Sequence, residues 1–213
     1  MITIIDYGMG NLRSVQKIFQ RMNVQAKITN DHNEILKANK LLLPGVGHFA
    51  NGMKKLEQSG LIEILNKKVL EEKTPILGIC LGMQLMTKSS EEGDVAGLNW
   101  IDAQTLKFNF RPEVKFPSLQ AENGILKIPH VGWNSVIVKK QTSISKQINA
   151  DDSFYFVHSY FVKCNNAQDV LFETAYGSNF VSGFEKENIV AVQFHPEKSH
   201  QSGMKLIQNF MTN

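Results

Sequence analysis

A cysteine flanked by two glycines is the residue of this sequence whose surroundings best suit covalent chemistry. Cys80 lies in the stretch TPILGICLGMQLM, two residues after Gly78 and two before Gly82. The apolar residues before Cys80 predict a buried strand, and those after it predict a helix. A nucleophile between two such glycines, at a strand-to-helix turn, is the nucleophile-elbow pattern. We therefore consider Cys80 as a nucleophile, with a buried structural cysteine as the alternative.

Backbone groups near such a turn would assist acyl transfer by Cys80. A helix that begins at or just after Cys80 directs its dipoles toward the sulfur and favours the thiolate. The N–H of Leu81 would point to where an oxyanion develops. The glycine loop in LLLPGVGHF, residues 41–49, follows a buried strand and could supply a second N–H from beside the elbow. A phosphate-binding loop is the alternative, but neither PGVGHF nor YGMGNL completes a nucleotide-binding motif.

His195 and Glu197 are the predicted base and its orienting carboxylate. Among the six histidines, His195 ends the predicted strand IVAVQF and is followed by Pro196 and Glu197. Residues two apart in an extended segment face the same side, so the carboxylate could fix the imidazole tautomer. His195, Glu197 and His200 could also be written as a metal motif, but Pro196 opposes the helical geometry that this motif requires. We therefore expect no metal site, and we expect Cys164 to be a loop thiol.

The elements that must position these residues alternate in the first half of the chain. Strands are predicted at 2–5, 24–28, 40–44 and 75–79, and helices at 11–22, over 51–72 and from about residue 80. This order predicts a mostly parallel central sheet flanked by helices. From about residue 98 the segments are short and β-rich, which predicts added antiparallel strands, and 202–211 predicts a closing helix. We therefore predict one α/β domain over 1–213, with a loop-like excursion from the sheet at 111–124.

Composition excludes several classes of function. The 213 residues are 42% hydrophobic and 20% charged, with a formal net charge of +3, so we expect no nucleic-acid partner. No apolar run approaches the roughly 20 residues of a membrane span, so we expect no membrane association. Two cysteines cannot build a disulfide framework, and MITIIDYGMG contains no basic leader. These features predict a cytoplasmic protein.

The motifs together resemble those of a known enzyme family. LPGVGHF, GICLGMQ and VQFHPEKS, in this order, resemble the motifs of class I (triad-type) glutamine amidotransferases. DYGMGNLRSV and PHVGWN narrow the resemblance to the HisH group of glutaminase subunits, and the motifs extend from residue 6 to about residue 210. The resemblance implies a flavodoxin-like class I amidotransferase fold and no cofactor. It also implies hydrolysis of L-glutamine to glutamate and ammonia through a thioester on the cysteine.

The resemblance further implies a role for each matching residue. The implied catalytic triad is Cys80, His195 and Glu197. The implied oxyanion hole uses backbone N–H groups of Leu81 and of the loop at Val46 and Gly47. The implied substrate contacts are Gln84 and Ser159. In the family the triad cysteine attacks the glutamine side chain, and the histidine first protonates the leaving ammonia and then activates water.

A partner protein is implied by the same resemblance. In the HisH group, ammonia passes into a HisF-type cyclase, a TIM barrel, and the two proteins form a heterodimer. The positions that match this interface are Asn11, Trp133, Tyr155 and Lys198. Ordinary core packing is the alternative for Trp133 and Tyr155, and capping of the first helix is the alternative for Asn11.

Other functions remain open from the sequence alone. FYFVHSYFV and HPEKSHQSGMKLIQNF also resemble HisH-like paralogues that supply ammonia for sugar amidation in surface-polysaccharide biosynthesis, and 107–128 is longer than in many members. This alternative changes the ammonia acceptor and keeps the triad. A binding module without turnover is disfavoured by the complete triad. A cysteine peptidase is disfavoured because it gives Gln84 and PHVGWN no evident role.

Overall fold

The computed structural model describes residues 1–110 and 126–213, and the excursion predicted at 111–124 lies outside them. The strands are β1 (Ile2–Ile5), β2 (Ala26–Thr29), β3 (Leu41–Gly45), β4 (Ile76–Cys80), β5 (Ser89–Ser90), β6 (Val95–Ala96), β7 (Ala103–Lys107), β8 (His130–Ser135), β9 (Ile137–Val138), β10 (Ser153–His158), β11 (Tyr160–Cys164), β12 (Val170–Tyr176), β13 (Ser178–Lys186) and β14 (Ile189–Val192). The α-helices are α1 (Leu12–Arg21), α2 (His32–Leu36), α3 (Phe49–Gln58), α4 (Leu61–Asn66), α5 (Leu81–Leu85) and α6 (His200–Thr212).

The central sheet is parallel where the sequence predicts it to be parallel. Its strands run β2-β1-β3-β4-β14, and each of these neighbouring pairs is parallel. Four of these strands, β1, β3, β4 and β14, are buried at every residue. Continuous apolar runs suit strands that helices cover on both faces. The carboxyl ends of β3 and β4 finish side by side, because Gly45 pairs with Cys80.

The second half of the chain adds antiparallel strands, as predicted. The sheet continues from β14 through β13 and β11 to β7, all in antiparallel pairs, and β12 and β9 extend from β13. A separate two-stranded antiparallel sheet is formed by β8 and β10. The segment SFYFVHSYFVK is therefore two strands, β10 and β11, which belong to different sheets. Ser159 lies between them, at the point where the chain crosses from one sheet to the other.

Hydrophobic side chains pack on both faces of the sheet. One cluster contains Val15, Ile18 and Phe19 of α1, and the other contains Leu81 and Leu85 of α5. The helical face predicted for residues 11–22 is thus confirmed, since its apolar positions join the core. No helix within the described residues has the length and apolar character needed to cross a membrane.

Several sequence-based predictions differ from the structure in the extent or presence of an element. The helix predicted over 51–72 is divided into α3, α4 and a π-helical turn, because Gly60 adopts φ +65° and ends the first helix. Helix α2 was not predicted, since its five residues are too short for a periodic signal and depend on a local cap from Asp31. Strand β2 begins at residue 26 rather than 24.

We predict that Gly82→Ala is strongly destabilising. A Cβ at residue 82 would lie 1.8 Å from the carbonyl oxygen of Leu43, a backbone atom that cannot rotate away. Overpacking against backbone should cost about 3 kcal/mol of unfolding free energy, measured by urea denaturation. Gly52→Ala is the matched control, because its Cβ would meet only leucine side chains at 3.1–3.3 Å in helix α3. Similar free energies of unfolding for the two variants would contradict the prediction.

Candidate active site

A cavity of about 300 Å³ lies at the carboxyl ends of β3 and β4 and beside the segment that follows β14. Its lining residues are Val46, Gly47, Cys80, Leu81, Gln84, Glu92, Pro129, Val157, His158, Ser159, Tyr160 and His195. The cavity thus brings together Cys80, His195, the residues predicted to form an oxyanion hole, and both predicted substrate contacts. Ligands of open parallel sheets bind at this edge.

Cys80 has the strained backbone of an elbow. Its φ is +54° and its ψ is −110°, a conformation that a non-glycine residue adopts only where the surrounding structure imposes it. The side chain is 7% exposed and lines the cavity. Gly82 allows α5 to approach the Leu43 carbonyl of β3, and Gly78 packs beside Met86 and Ala191. Both glycines are therefore required by close packing, as the sequence predicts.

The helix after Cys80 is shorter than the elbow pattern suggests. Helix α5 contains five residues, Leu81–Leu85, so few aligned peptide dipoles act on the sulfur. Side chains that contact Cys80 therefore matter more than the helix for the state of its thiol. Gln193 is one of them, because its Nε2 lies 3.7 Å from Sγ of Cys80.

His195 and Glu197 form a buried hydrogen-bonded pair. His195 Nδ1 lies 2.7 Å from Glu197 Oε1, and both side chains are nearly inaccessible to solvent. The geometry differs in one respect from the sequence-based argument, because residues 196–198 form a 3₁₀ turn rather than a continued strand. The carboxylate therefore reaches back within this turn. Ser199 Oγ donates to the His195 carbonyl at 2.6 Å and so helps to fix the turn.

The protonation of His195 is set by its two neighbours. Burial alone would lower the pKa of His195, but its interactions with Cys80 and Glu197 and their negative charges outweigh burial and raise the pKa to about 10. Among the described residues, Nε2 is buried and makes no hydrogen bond of normal geometry in this structure. The imidazole is thus oriented by Glu197 at Nδ1, with Nε2 available for a reacting group.

The loop after β3 borders Cys80. Gly45 pairs with Cys80 across the two strands, and the loop continues through Val46, which is 42% exposed, to Gly47 with φ +112°. Val46, Gly47 and Leu81 all line the cavity beside Cys80. Their placement suits backbone N–H donors that converge on the carbonyl oxygen of an acyl group at Cys80.

Tyr7 is a neighbour of this site that sequence analysis did not identify. The residue is 3% exposed, and its hydroxyl has no hydrogen-bond partner among the described residues. A Cβ on Gly45 would lie 2.2 Å from that hydroxyl, which places Tyr7 directly behind the glycine loop. Burial and the charge of Cys80 raise the pKa of Tyr7 far above its ordinary value, so the phenol stays neutral.

The amide of Gln84 is held by the protein. Gln84 Nε2 donates to the carbonyl of Tyr160 at 3.2 Å and to Oε1 of Gln193 at 3.0 Å. Both of its N–H groups are therefore used, which leaves Oε1 as an acceptor for a ligand. Ser159 lies across the cavity between β10 and β11, and its carbonyl accepts the N–H of Phe108 at 3.1 Å.

Glu92, His158 and Tyr160 also line the cavity, although sequence analysis assigned them no role. His158 and Tyr160 flank the predicted contact Ser159, so their neighbourhood was the available signal. Glu92 Oε2 accepts the N–H of Phe49 at 2.7 Å, which fixes a carboxylate at the cavity wall. No residue spacing in the sequence points to Glu92, because it lies between β5 and β6, outside the motifs that contain the other site residues.

Three of the four predicted interface residues, together with His200, form one aromatic cluster. Trp133 on β8 pairs with Tyr155 on β10, and their rings meet edge to face at 6.0 Å. Lys198 Nζ lies 5.3 Å from the Tyr155 ring centre, and the ring of His200 stacks on Trp133 at 5.2 Å. Trp133 is 42% exposed, so core packing does not account for it.

Asn11 lies at the start of α1, where its Oδ1 accepts the N–H of Ser14 at 3.2 Å. The capping interpretation of this residue is therefore confirmed, and it leaves an interface role open as well.

The remaining thiol and the last histidine of the possible metal motif both have other surroundings. Within the described part of the chain, no cluster of histidine, cysteine or acidic residues could hold a metal ion, and His200 stacks on Trp133 instead. Cys164 lies at the end of β11 rather than in a loop, so that prediction was wrong. Burial, with added repulsion from Asp169 and Asp102, raises the pKa of Cys164 to about 12, which makes it unreactive.

Comparison with solved structures agrees with this architecture. A glutamine amidotransferase structure superposes with a TM-score of 0.70 over 100% of this chain and 98% of the other, at 16% identity. The structure of PurLQS from Thermotoga maritima gives a TM-score of 0.66 over 99% of this chain and 97% of the other, at 14% identity. At these identities the likeness establishes the fold alone.

Sequence comparison establishes the family. Residues 3–213 match the family described as Glutamine amidotransferase class-I. Imidazole glycerol phosphate synthase subunit HisH 2 of Methanococcus maripaludis is 50% identical over 99% of this chain and 98% of its own. Imidazole glycerol phosphate synthase subunit HisH 1 of Campylobacter jejuni is 45% identical, with the same shares of both chains covered. The chain therefore belongs to the class I glutamine amidotransferases and, within them, to the HisH subunits of imidazole glycerol phosphate synthase.

Proposed function

We propose that Cys80, His195 and Glu197 hydrolyse L-glutamine to glutamate and ammonia, and that the ammonia passes to a HisF-type cyclase in histidine biosynthesis. The observation that carries the proposal is the buried His195–Glu197 pair, which acts on a cysteine held at positive φ in a cavity. We further propose that residues 1–213 act as one domain in the cytoplasm, where both free thiols would stay reduced.

The first half of the reaction forms a thioester. The Cys80 thiolate attacks the side-chain amide carbon of glutamine, and the amide oxygen becomes an oxyanion. Backbone N–H groups of Leu81 and of the Val46–Gly47 loop are placed to stabilise that charge. Imidazolium at His195 then gives its Nε2 proton to the departing nitrogen, and ammonia leaves. The raised pKa of His195, about 10, keeps this proton on the imidazole at neutral pH until it is needed.

The second half regenerates the enzyme. Neutral His195 accepts a proton from a water molecule, whose oxygen attacks the thioester carbon of the glutamyl group on Cys80. The same backbone donors stabilise the second oxyanion, and collapse of this intermediate releases glutamate and the thiolate. Glu197 remains hydrogen bonded at Nδ1 throughout, so it orients the ring and supports its positive charge in both halves.

Polar groups of the cavity suit the amino-acid end of the substrate. Gln84 Oε1 and the Glu92 carboxylate are acceptors at the wall, and both suit the α-ammonium group of glutamine. Ser159 and the neighbouring backbone of Tyr160 face the same space and can contact the carboxylate end. These groups would hold the substrate with its side-chain amide directed toward Cys80.

The partner would bind at the aromatic cluster of Trp133, Tyr155, Lys198 and His200. Val131 is 54% exposed and lies two residues before Trp133 on β8, so the two side chains share one face of the strand and form an exposed apolar surface. Exposed aromatic and aliphatic side chains of this kind are typical of protein interfaces. The backbone N–H of His195 donates to the backbone carbonyl of Tyr155 at 2.9 Å, so the proposed interface directly borders the catalytic turn.

We predict that Cys80→Ala separates the two nitrogen sources. In complex with the cyclase, the variant should lose glutamine-dependent product formation by more than about 1,000-fold, since no thioester can form. Synthesis from ammonium salts should stay within about twofold of wild type, because the cyclase does not need the thiol. Product formation from each source is measured on the same purified complex.

A growth experiment identifies the ammonia acceptor. Wild-type chain with its own cyclase should restore growth of a histidine auxotroph that lacks its glutaminase, whereas Cys80→Ala should not. Equal loss of both activities in vitro would contradict the ammonia-donor role. Failure of soluble, partner-bound wild-type chain to restore growth would favour sugar amidation instead.

We predict that Glu197→Gln lowers both the activity and the pKa of His195. The substitution removes a charge that stabilises the imidazolium, so the pKa should fall from about 10 and glutaminase kcat should fall about 100-fold or more. The raised pKa stabilises the native state fully below about pH 6.5, and this contribution is lost as the pH rises through about 10. In the variant that loss should occur at lower pH.

Two measurements check this prediction: the pH dependence of the unfolding free energy and NMR titration of the imidazole. Glu57→Gln, an exposed carboxylate on α3, is the control and should behave as wild type. An unchanged titration of His195 in Glu197→Gln would show that the carboxylate does not set its protonation.

We predict that Trp133→Ala weakens the complex without unfolding the chain. Truncation of an exposed interface aromatic commonly costs about 2 kcal/mol of binding, or roughly 30-fold in Kd, measured by isothermal titration against the cyclase. Leu70→Ala is the control, because Leu70 is 40% exposed and lies on the π-helical turn, outside the proposed interface. Equal affinity of the two variants would place the interface elsewhere.

A further inference from the structure

Gln193 has a role that the triad does not include. It follows β14 directly, is completely buried and lies two residues before His195. Its Nε2 lies 3.7 Å from Sγ of Cys80, and its Oε1 lies 3.0 Å from Nε2 of Gln84. A buried amide is costly unless its polar atoms have partners, and here both ends of the amide are used. One of the two partners is the nucleophile itself.

The orientation of this amide is fixed by its neighbours. An amide group could in principle be rotated by 180°, which would exchange its donor and acceptor ends. Gln84 cannot be rotated in this way, because its Nε2 faces the carbonyl oxygen of Tyr160, which can only accept. Gln84 therefore presents an N–H to Gln193, and the atom that receives it must be Oε1. The N–H group of Gln193 is thereby directed at the sulfur.

The Tyr160 carbonyl is itself held by a second donor. His158 Nδ1 lies 2.7 Å from it and must donate, so neutral His158 accepts at Nε2 from Nδ1 of His130 at 3.0 Å. Burial lowers the pKa of His130 to about 4, and burial with repulsion from His130 lowers that of His158 to about 3, so both rings stay neutral. Two donors occupy the two lone pairs of the carbonyl, which leaves it no freedom to accept elsewhere.

We propose that Gln193 is a positioning residue that donates a hydrogen bond to Cys80 Sγ and favours its thiolate, with the Tyr160 carbonyl fixing its orientation through Gln84. This inference rests on the proposed role of Cys80 as the nucleophile. A donor directed at a thiolate stabilises the charged form over the thiol, and it also restricts the rotation of the side chain. With only a five-residue helix after Cys80, such a side-chain donor carries more of this task.

Several titratable groups lie near Cys80, and Glu92, His158 and Tyr160 line the same cavity. His195 acts on it from the turn after β14, and Tyr7 acts on it from the segment after β1. Glycine occupies the paired position on β3, and Gln84 is the polar residue of α5 in this network. A substitution at Gln193 therefore removes one donor and leaves the charged partners of the thiol in place.

The test uses two variants of similar shape, Gln193→Met and Gln193→Glu, in the full chain bound to its cyclase. The rate of alkylation of Cys80 by iodoacetamide is measured against pH, with the modified residue identified by peptide mass. In Gln193→Met the pH midpoint should rise, so that the rate at pH 7 falls about tenfold while the limiting rate at high pH stays within about twofold. In Gln193→Glu the added carboxylate should raise the midpoint further.

Two controls make the result specific. Gln168→Met changes an exposed glutamine on a 3₁₀ turn and should leave the midpoint unchanged. Cys164 reports on folding within the same samples, because burial raises its pKa to about 12 and it should label slowly in every folded variant. A purely structural effect of Gln193 would speed labelling of Cys164 or lower the Cys80 rate at all pH values.

Failure of the inference about Gln193 and failure of the proposed glutaminase function give different results. An unchanged midpoint in either variant, with Cys164 still protected, would overturn the inference while wild-type glutaminase activity kept the proposed function intact. If Gln193→Met fails to fold, the Gln193→Glu profile alone decides. Absence of glutaminase activity in the wild-type complex would instead contradict the proposed function, whatever the alkylation profile shows.

Discussion

Parallel pairing of β3, β4 and β14 is the constraint on which the site depends, because it ends three distant parts of the chain at one edge of the sheet. Gly45 pairs with Cys80, and Val192 pairs with Ile79, so the glycine loop, the elbow and the histidine turn begin side by side. Positive φ at Cys80 costs of order 1–3 kcal/mol. Close packing of α5 against β3, permitted at Gly82, offsets that strain and holds the cysteine at the cavity.

Three buried histidines near the cavity show how partners determine protonation. Burial lowers the pKa of His130 to about 4 and that of His158 to about 3, because their partners are each other and a neutral carbonyl. The pKa of His195 is raised to about 10, although burial opposes this, because its partners carry negative charge. In a low-dielectric interior, such differences are larger than at a solvated surface. The same residue type thus serves as a fixed hydrogen-bonding link in two positions and, in the proposed mechanism, as a proton carrier in the third.

The two-stranded sheet of β8 and β10 borders both the surface cluster and the catalytic cavity. The ring of Tyr155 contacts Trp133 and Lys198. The backbone carbonyl of Tyr155 accepts the backbone N–H of His195, and the backbone N–H of Tyr155 donates to Ser199 Oγ. Further along β10, His158 and the following Ser159 reach the cavity wall. A displacement of this two-stranded sheet would therefore shift the turn at 195–199 directly, because hydrogen bonds join the two. The proposed docking surface and the proposed catalytic turn thus share one structural element.

Local sequence patterns determined much of this protein. Continuous apolar runs identified β1, β3 and β4, helical periodicity identified α1, and glycines on both sides of Cys80 identified the elbow. The His–Pro–Glu run placed a carboxylate beside an imidazole, since the two residues are close in the chain in any conformation. These predictions succeeded because each element shows a repeated local pattern. Short elements such as α2 were missed because they contain too few residues to show one.

Tertiary structure alone decided which distant residues surround Cys80. Tyr7, Glu92 and Gln193 carry no spacing that links them to the elbow, and they reach it or its cavity through strand order and loop placement. The opposite protonation of His158 and His195 likewise follows from spatial partners rather than from neighbours in the chain. A sequence specifies its local conformations through backbone sterics and periodicity. Contacts between remote residues arise only when the sheet brings them together and removes water from between them.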